Sequence, residues 1–73
     1  MKQHISIKGT DGTKYTINTH HIVFYESMSK PVFNSEYNTW EDLDSGSIIY
    51  LTNKFNPIKT SISISKLNEL ISN

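Results

Sequence analysis

His4-Ile5-Ser6-Ile7-Lys8-Gly9-Thr10-Asp11-Gly12-Thr13-Lys14-Tyr15-Thr16-Ile17-Asn18 is the stretch that decides the fold. Two runs in it alternate polar and apolar residues, the period of a half-buried strand. Ile5 and Ile7 share one face of the first run, and Tyr15 and Ile17 share one face of the second. Asp11-Gly12 lies between the runs, and both residue types tolerate the positive φ that tight hairpin turns demand. The stretch therefore predicts an antiparallel hairpin with one apolar face.

Outward from the hairpin, two further runs are apolar on both faces: Ile22-Val23-Phe24-Tyr25, and Ser47-Ile48-Ile49-Tyr50-Leu51-Thr52. Such runs read as central strands covered on both sides. Asn53-Lys54-Phe55-Asn56-Pro57 makes a turn, and Ile58–Ile62 reads as a weaker last strand. Ser63 is a good N-cap for a helix over 64–72, in which Ile64, Leu67, Leu70 and Ile71 form one apolar stripe. A helix of nine residues is not stable alone and must dock on the sheet. The expected class is β-rich α+β: about five mostly antiparallel strands and one short C-terminal helix, in one domain over residues 1–73.

Residues 28–46 break this rhythm. The stretch Met28 to Gly46 shows no strand period, contains Pro31, and exits at Gly46. It is expected to be a long loop between strands 3 and 4, ordered in part because it holds Phe33, Tyr37 and Trp40. Thr39-Trp40-Glu41-Asp42 could form one capped helical turn. One helix covers only one face of the sheet, so the other face needs a lid. The aromatic loop or a second subunit could supply it, and a homo-oligomer is expected because large bare apolar faces are rare on soluble monomers.

Composition narrows the function. Seven lysines balance seven acids, and arginine and cysteine are absent. Without a basic excess or a guanidinium for guanine, DNA or RNA is a poor candidate partner. Without cysteine there is no disulfide and no thiolate metal site. The start of the chain has no apolar h-region, and no run approaches the roughly 18 apolar residues of a membrane span. A cytoplasmic protein with no membrane partner is expected. The Asn-, Ser-, Thr-, Ile- and Lys-rich composition suits an AT-rich genome, phages and mobile elements included.

The order of elements has a family likeness. Ile7-Lys8-Gly9, Asp11-Gly12, Tyr15-Thr16-Ile17-Asn18 and His21-Ile22-Val23-Phe24-Tyr25-Glu26 resemble the first half of a LytTR domain. Ile22, Phe24 and Glu26 match that family's Asp-Ile-x-Tyr-Ile-Glu strand, with His21 where aspartate is usual. Ile48–Asn53, Ile58 and Ser63-Ile64 with Leu67, Leu70 and Ile71 resemble its later strand and helix entry. The short FlbD-like flagellar family, of similar length and element order, is matched equally well. The likeness covers 4–27 and 47–72, and the basic second half of a LytTR domain has no counterpart here. It therefore implies a fold more than a function.

Few residues carry recognisable chemistry. His20 and His21 stand at the entry of the third strand, where neighbours point to opposite faces, so one metal would not take both. Asp42, Asp44 and Gly46 make only a fragment of a calcium loop. No nucleophile has a base at a catalytic spacing, and there is no Gly-rich phosphate loop. No catalytic residue, metal or cofactor is predicted. Aromatic residues are enriched at binding hot spots, so Phe33, Tyr37 and Trp40, rimmed by Glu41, Asp42 and Asp44, are the candidate partner-binding residues. Folding back as a lid is the competing role for the same aromatics. The leading expectation is a non-enzymatic interaction or adaptor module that binds a protein partner, itself or both. A reduced LytTR-like DNA-binding regulator is one alternative. A phage-type protein sequestering a nucleotide or other small molecule between subunits is the other.

Overall fold

The computed structural model describes residues 3–72, so Met1, Lys2 and Asn73 lie outside the account. The elements run β1 (His4–Lys8), β2 (Lys14–Asn18), a 3-10 turn (Thr19–His21), β3 (Ile22–Asn34), β4 (Thr39–Leu51), β5 (Ile58–Thr60) and α1 (Ile64–Ser72). The protein is β-rich with antiparallel strands and one C-terminal helix, as its sequence predicts. No helix among the described residues is long and apolar enough to cross a membrane.

The strands form two sheets rather than one, β1-β2 and β3-β4-β5. A single bridge, Gly9 to Thr60, links them, with the Thr10 N–H donating to the Lys59 carbonyl at 2.8 Å. The first hairpin forms where expected, with Ile5 opposite Ile17 and Ile7 opposite Tyr15. Its turn uses positive φ only at Gly12, at 86°. The Gly12 N–H donates to the Gly9 carbonyl at 3.0 Å, and the Asp11 carboxylate accepts from the Thr13 N–H at 2.9 Å.

Ile5, Ile7, Ile17, Ile49, Ile58 and Leu67 are the buried apolar core, with Tyr15, Ile22, Tyr25, Leu51, Ile62, Leu70 and Ile71 packed around it. Two buried hydroxyls knit the elements around this core: Ser47 Oγ donates to the Ile62 carbonyl at 2.7 Å, and Thr60 Oγ1 to the Lys8 carbonyl at 2.9 Å. Ser63 caps α1 through its Oγ, which accepts from the Lys66 N–H at 3.2 Å. Leu67 is the buried residue of that helix. Tyr25 on β3 donates its hydroxyl to Asn68 Oδ1, tying the helix to the core face of the sheet.

The 28–46 segment is not a loop. β3 and β4 are each 13 residues long and pair from Ile22–Leu51 out to Asn34–Thr39. The helical turn expected over Thr39–Asp42 is strand as well. At the usual rise such a hairpin spans about 40 Å, which accounts for a long dimension of 45 Å against 26 and 20 Å. The radius of gyration is 14.2 Å, where a compact chain of this length has about 11 Å. From Ser29 to Asp44 no residue is buried, and only Val32 and Asn34 are half-buried. The distal half of the hairpin is thus an arm that leaves the body with no core of its own.

Local chemistry explains the arm. Val32, Phe33, Thr39 and Trp40 favour the pleated backbone. Asn34 Oδ1 accepts from the Glu36 N–H at 3.0 Å, and Asn38 takes a positive φ of 54°, so both ends of the tip turn suit asparagine. Pro31 is tolerated because β3 is an edge strand. At the root of the arm the ladder skips Ser45, and Gly46 has a φ of 129°. A Cβ on Gly46 would lie 1.9 Å from the Thr60 carbonyl oxygen. Glycine is therefore what lets β5 and its exit cross the arm's root.

Candidate functional site

The six candidate residues all lie on the arm, but not as one cluster. Phe33 and Trp40 face each other in the penultimate ladder pair and meet edge to face, ring centroids 5.3 Å apart. Trp40 is 71% exposed, Tyr37 in the tip turn 69% and Phe33 45%. The aromatics do not fold back over the sheet, so the lid role is not the one they take. Strand alternation puts Asp42 on the Phe33–Trp40 face and Glu41 on the reverse. Glu41 Oε1 accepts from Asn34 Nδ2 at 3.2 Å, bracing the tip. Asp44 Oδ1 accepts from the Gly46 N–H at 2.9 Å and belongs to the bulge at the root. The tip is therefore Phe33, Tyr37, Trp40 and Asp42, while Glu41 and Asp44 also serve the arm's own structure.

Charge separates along the molecule. Residues 28–46 hold Lys30 against Glu36, Glu41, Asp42 and Asp44, net −3, and the rest of the sequence carries the balancing +3. A two-stranded hairpin is marginal in water without a sheet or partner to complete it. The arm thus offers a surface of exposed aromatic rings with acidic neighbours, carried beyond the body.

The second surface is the apolar sheet face that the sequence predicts to need a cover. With the arm extended, the sheet face turned away from the core stays bare. Phe24 stacks on Tyr50 with ring centroids 4.3 Å apart, yet is 51% exposed, and Val23 stands out at an irregularity beside it. The Tyr50 hydroxyl donates to Glu26 Oε1 at 2.8 Å, and that bond raises the tyrosine's pKa above its ordinary value. By alternation Ile48, Met28, Leu43 and Val32 continue this face outward. The two doubly apolar runs were the signal for it.

The remaining features offer little chemistry. His20 and His21 lie in the 3-10 turn rather than on a strand, and both are exposed. No three His, Asp or Glu side chains converge among the described residues. A shallow pocket of about 230 Å³ between β2 and the β4–β5 turn is lined by Tyr15, Ile17, His21, Leu51, Lys54 and Ile58. It is smaller than the roughly 300 Å³ at which ligand pockets begin.

No family model, curated protein or solved structure matches the chain.

Proposed function

We propose that this protein is a non-enzymatic interaction module that presents its hairpin arm to a protein partner. Trp40 and Phe33 are the anchors, Tyr37 extends the contact at the turn, and Asp42 supplies an acidic rim. The observation that carries this reading is the Phe33–Trp40 pair, held edge to face yet widely exposed at the tip of an arm without a core. Tryptophan and tyrosine dominate interface hot spots, and their burial by a partner gains the energy that the free arm forgoes. The acidic arm fits a partner surface with an apolar pocket and a basic rim. This reading carries with it a cytoplasmic location and no catalytic role, and it does not depend on the LytTR or FlbD-like resemblance.

Photo-crosslinking in the producing cell tests it. A photoreactive amino acid at Trp40 should yield one discrete protein adduct, and the same group at Lys66 on the helix should not. Equal yields from both positions, or none from position 40, would sink the reading.

A further inference from the structure

We propose that a second copy of this chain pairs with the free edge of β3, antiparallel about a two-fold axis through Met28, giving one six-stranded sheet. The proposal uses the backbone edge of β3 and the outer face of the sheet, whereas the Phe33 and Trp40 rings lie on the opposite face. It stands or falls separately from the arm-tip reading.

β3 is a terminal strand, so one side of its 13-residue backbone is unpaired. Long bare edges invite pairing with another chain; Lys30 and Pro31 are residue types that can discourage it, but on this edge Pro31 removes a single donor and Lys30 supplies a charge that a second copy can match. The orientation of the free groups can be read from two residues. The Met28 carbonyl points toward β4, where it accepts from Ser45 Oγ at 3.1 Å. Pro31, with no N–H, fits the ladder to β4 only where that group would point away. Even-numbered residues of this stretch therefore bond to β4. Tyr25, Ser27, Ser29 and Pro31 direct their backbone groups outward, and of these only Pro31 lacks a donor.

The side chains are self-complementary about Met28. An antiparallel copy centred there sets Glu26 opposite the partner's Lys30, and Lys30 opposite the partner's Glu26. Phe24 falls opposite the partner's Val32, Val32 opposite the partner's Phe24, and Met28 opposite its own copy. All lie on the outer face, the one left bare by the core. Ser27 and the partner's Ser29 would exchange backbone bonds on either side of the axis. Glu26 is already held in place by the Tyr50 hydroxyl through Oε1, and among the described residues neither Glu26 nor Lys30 has an ion-pair partner. Among the described residues the one ion pair is Lys66–Glu69. Opposite charges facing across strands stabilise a pairing and like charges oppose it. Moving the axis one residue either way loses both ion pairs. Moving it two residues sets Glu26 against Glu26 or Lys30 against Lys30. The charges thus select one register. The pairing also gives each arm a neighbouring strand, which a two-stranded hairpin needs for stability.

Sedimentation equilibrium on charge-swapped variants tests this. The wild-type chain should be a dimer, and Lys30→Glu or Glu26→Lys alone should weaken it by about tenfold or more, since each sets like charges opposite twice. The double swap should restore the dimer. The two single variants, mixed, should form a heterodimer, because their charges then complement each other. Trp40→Ala should leave the dimer intact. Circular dichroism guards against misfolding, and both altered side chains are exposed. A monomeric wild type, single swaps without effect, or a double swap that fails to restore association would each overturn the proposal.

Discussion

Gly46 and Thr60 approach so closely that a single methyl group could not fit between them: a Cβ on Gly46 would lie 1.9 Å from the Thr60 carbonyl oxygen. This contact is where the arm leaves the body. It fixes the bulge at Ser45, the crossing of β5 and the buried hydroxyl bonds of Ser47 and Thr60.

Gly46→Ala should therefore cost about 3 kcal/mol or more, from a forced backbone shift together with a strained φ. In a core this small that is enough to unfold much of the population. Gly12→Asn is the control, because Gly12 has a positive φ but open space around it. It should cost about 1 kcal/mol or less, since asparagine tolerates that conformation. Urea unfolding of both variants checks the contrast.

Leu67 is fully buried and docks α1 on the sheet. Leu67→Ala should cost about 2–5 kcal/mol, and Ser63→Ala, which removes the cap, about 1 kcal/mol. Thermal melts should show the first variant largely unfolded and the second folded with a lower midpoint.

Asp11 contributes to the acid limb of stability. The Thr13 N–H is the main cause of its carboxyl pKa lying below 3.8, and the Tyr15 hydroxyl adds to it. The folded value lies below the unfolded one, so this stabilisation is fully present above 3.8 and is lost as pH falls through the lowered value. Asp11→Asn should flatten the fall in melting temperature as pH drops below 3.8. An unchanged slope would remove Asp11 as its cause. Tyr50 and Tyr15 act at the other end: bonds to Glu26 and Asp11 raise their pKa values above 10.0, and their contribution fades as pH rises through the raised values.

The body of the fold was legible because it has two sides. Ile5, Ile7, Tyr15 and Ile17 alternate against polar neighbours, and Ser63 with the Ile64–Ile71 stripe marks the helix to the residue. The arm was not legible, because water lies on both its faces and charges alternate with nothing. Ser45 adds a residue that breaks the period, and Pro31 reads as a stop although an edge strand accepts it. The turn chemistry was present in Asn34 and Asn38, flanked by Phe33 and Trp40, and was the signal that could have revealed the hairpin. Phe33 and Trp40 meet near the arm tip, with Tyr37 exposed in the turn beyond them. Their neighbours Glu41 and Asp44 have bracing roles that only the register shows.

Trp40→Ala should leave the melting temperature nearly unchanged, because the ring is mostly exposed, while weakening partner association by about 2 kcal/mol or more. Titration of the crosslinked partner with both proteins would measure it.

The most direct test of the account uses Trp40 itself, the one tryptophan in the chain. Its fluorescence, excited selectively over the tyrosines, reports the arm tip. With Trp40 71% exposed, the isolated protein should show a water-exposed emission with strong acrylamide quenching. A blue-shifted emission protected from acrylamide would mean that the tip is already covered, by its own body or by a second copy, and would contradict an arm held out for a partner.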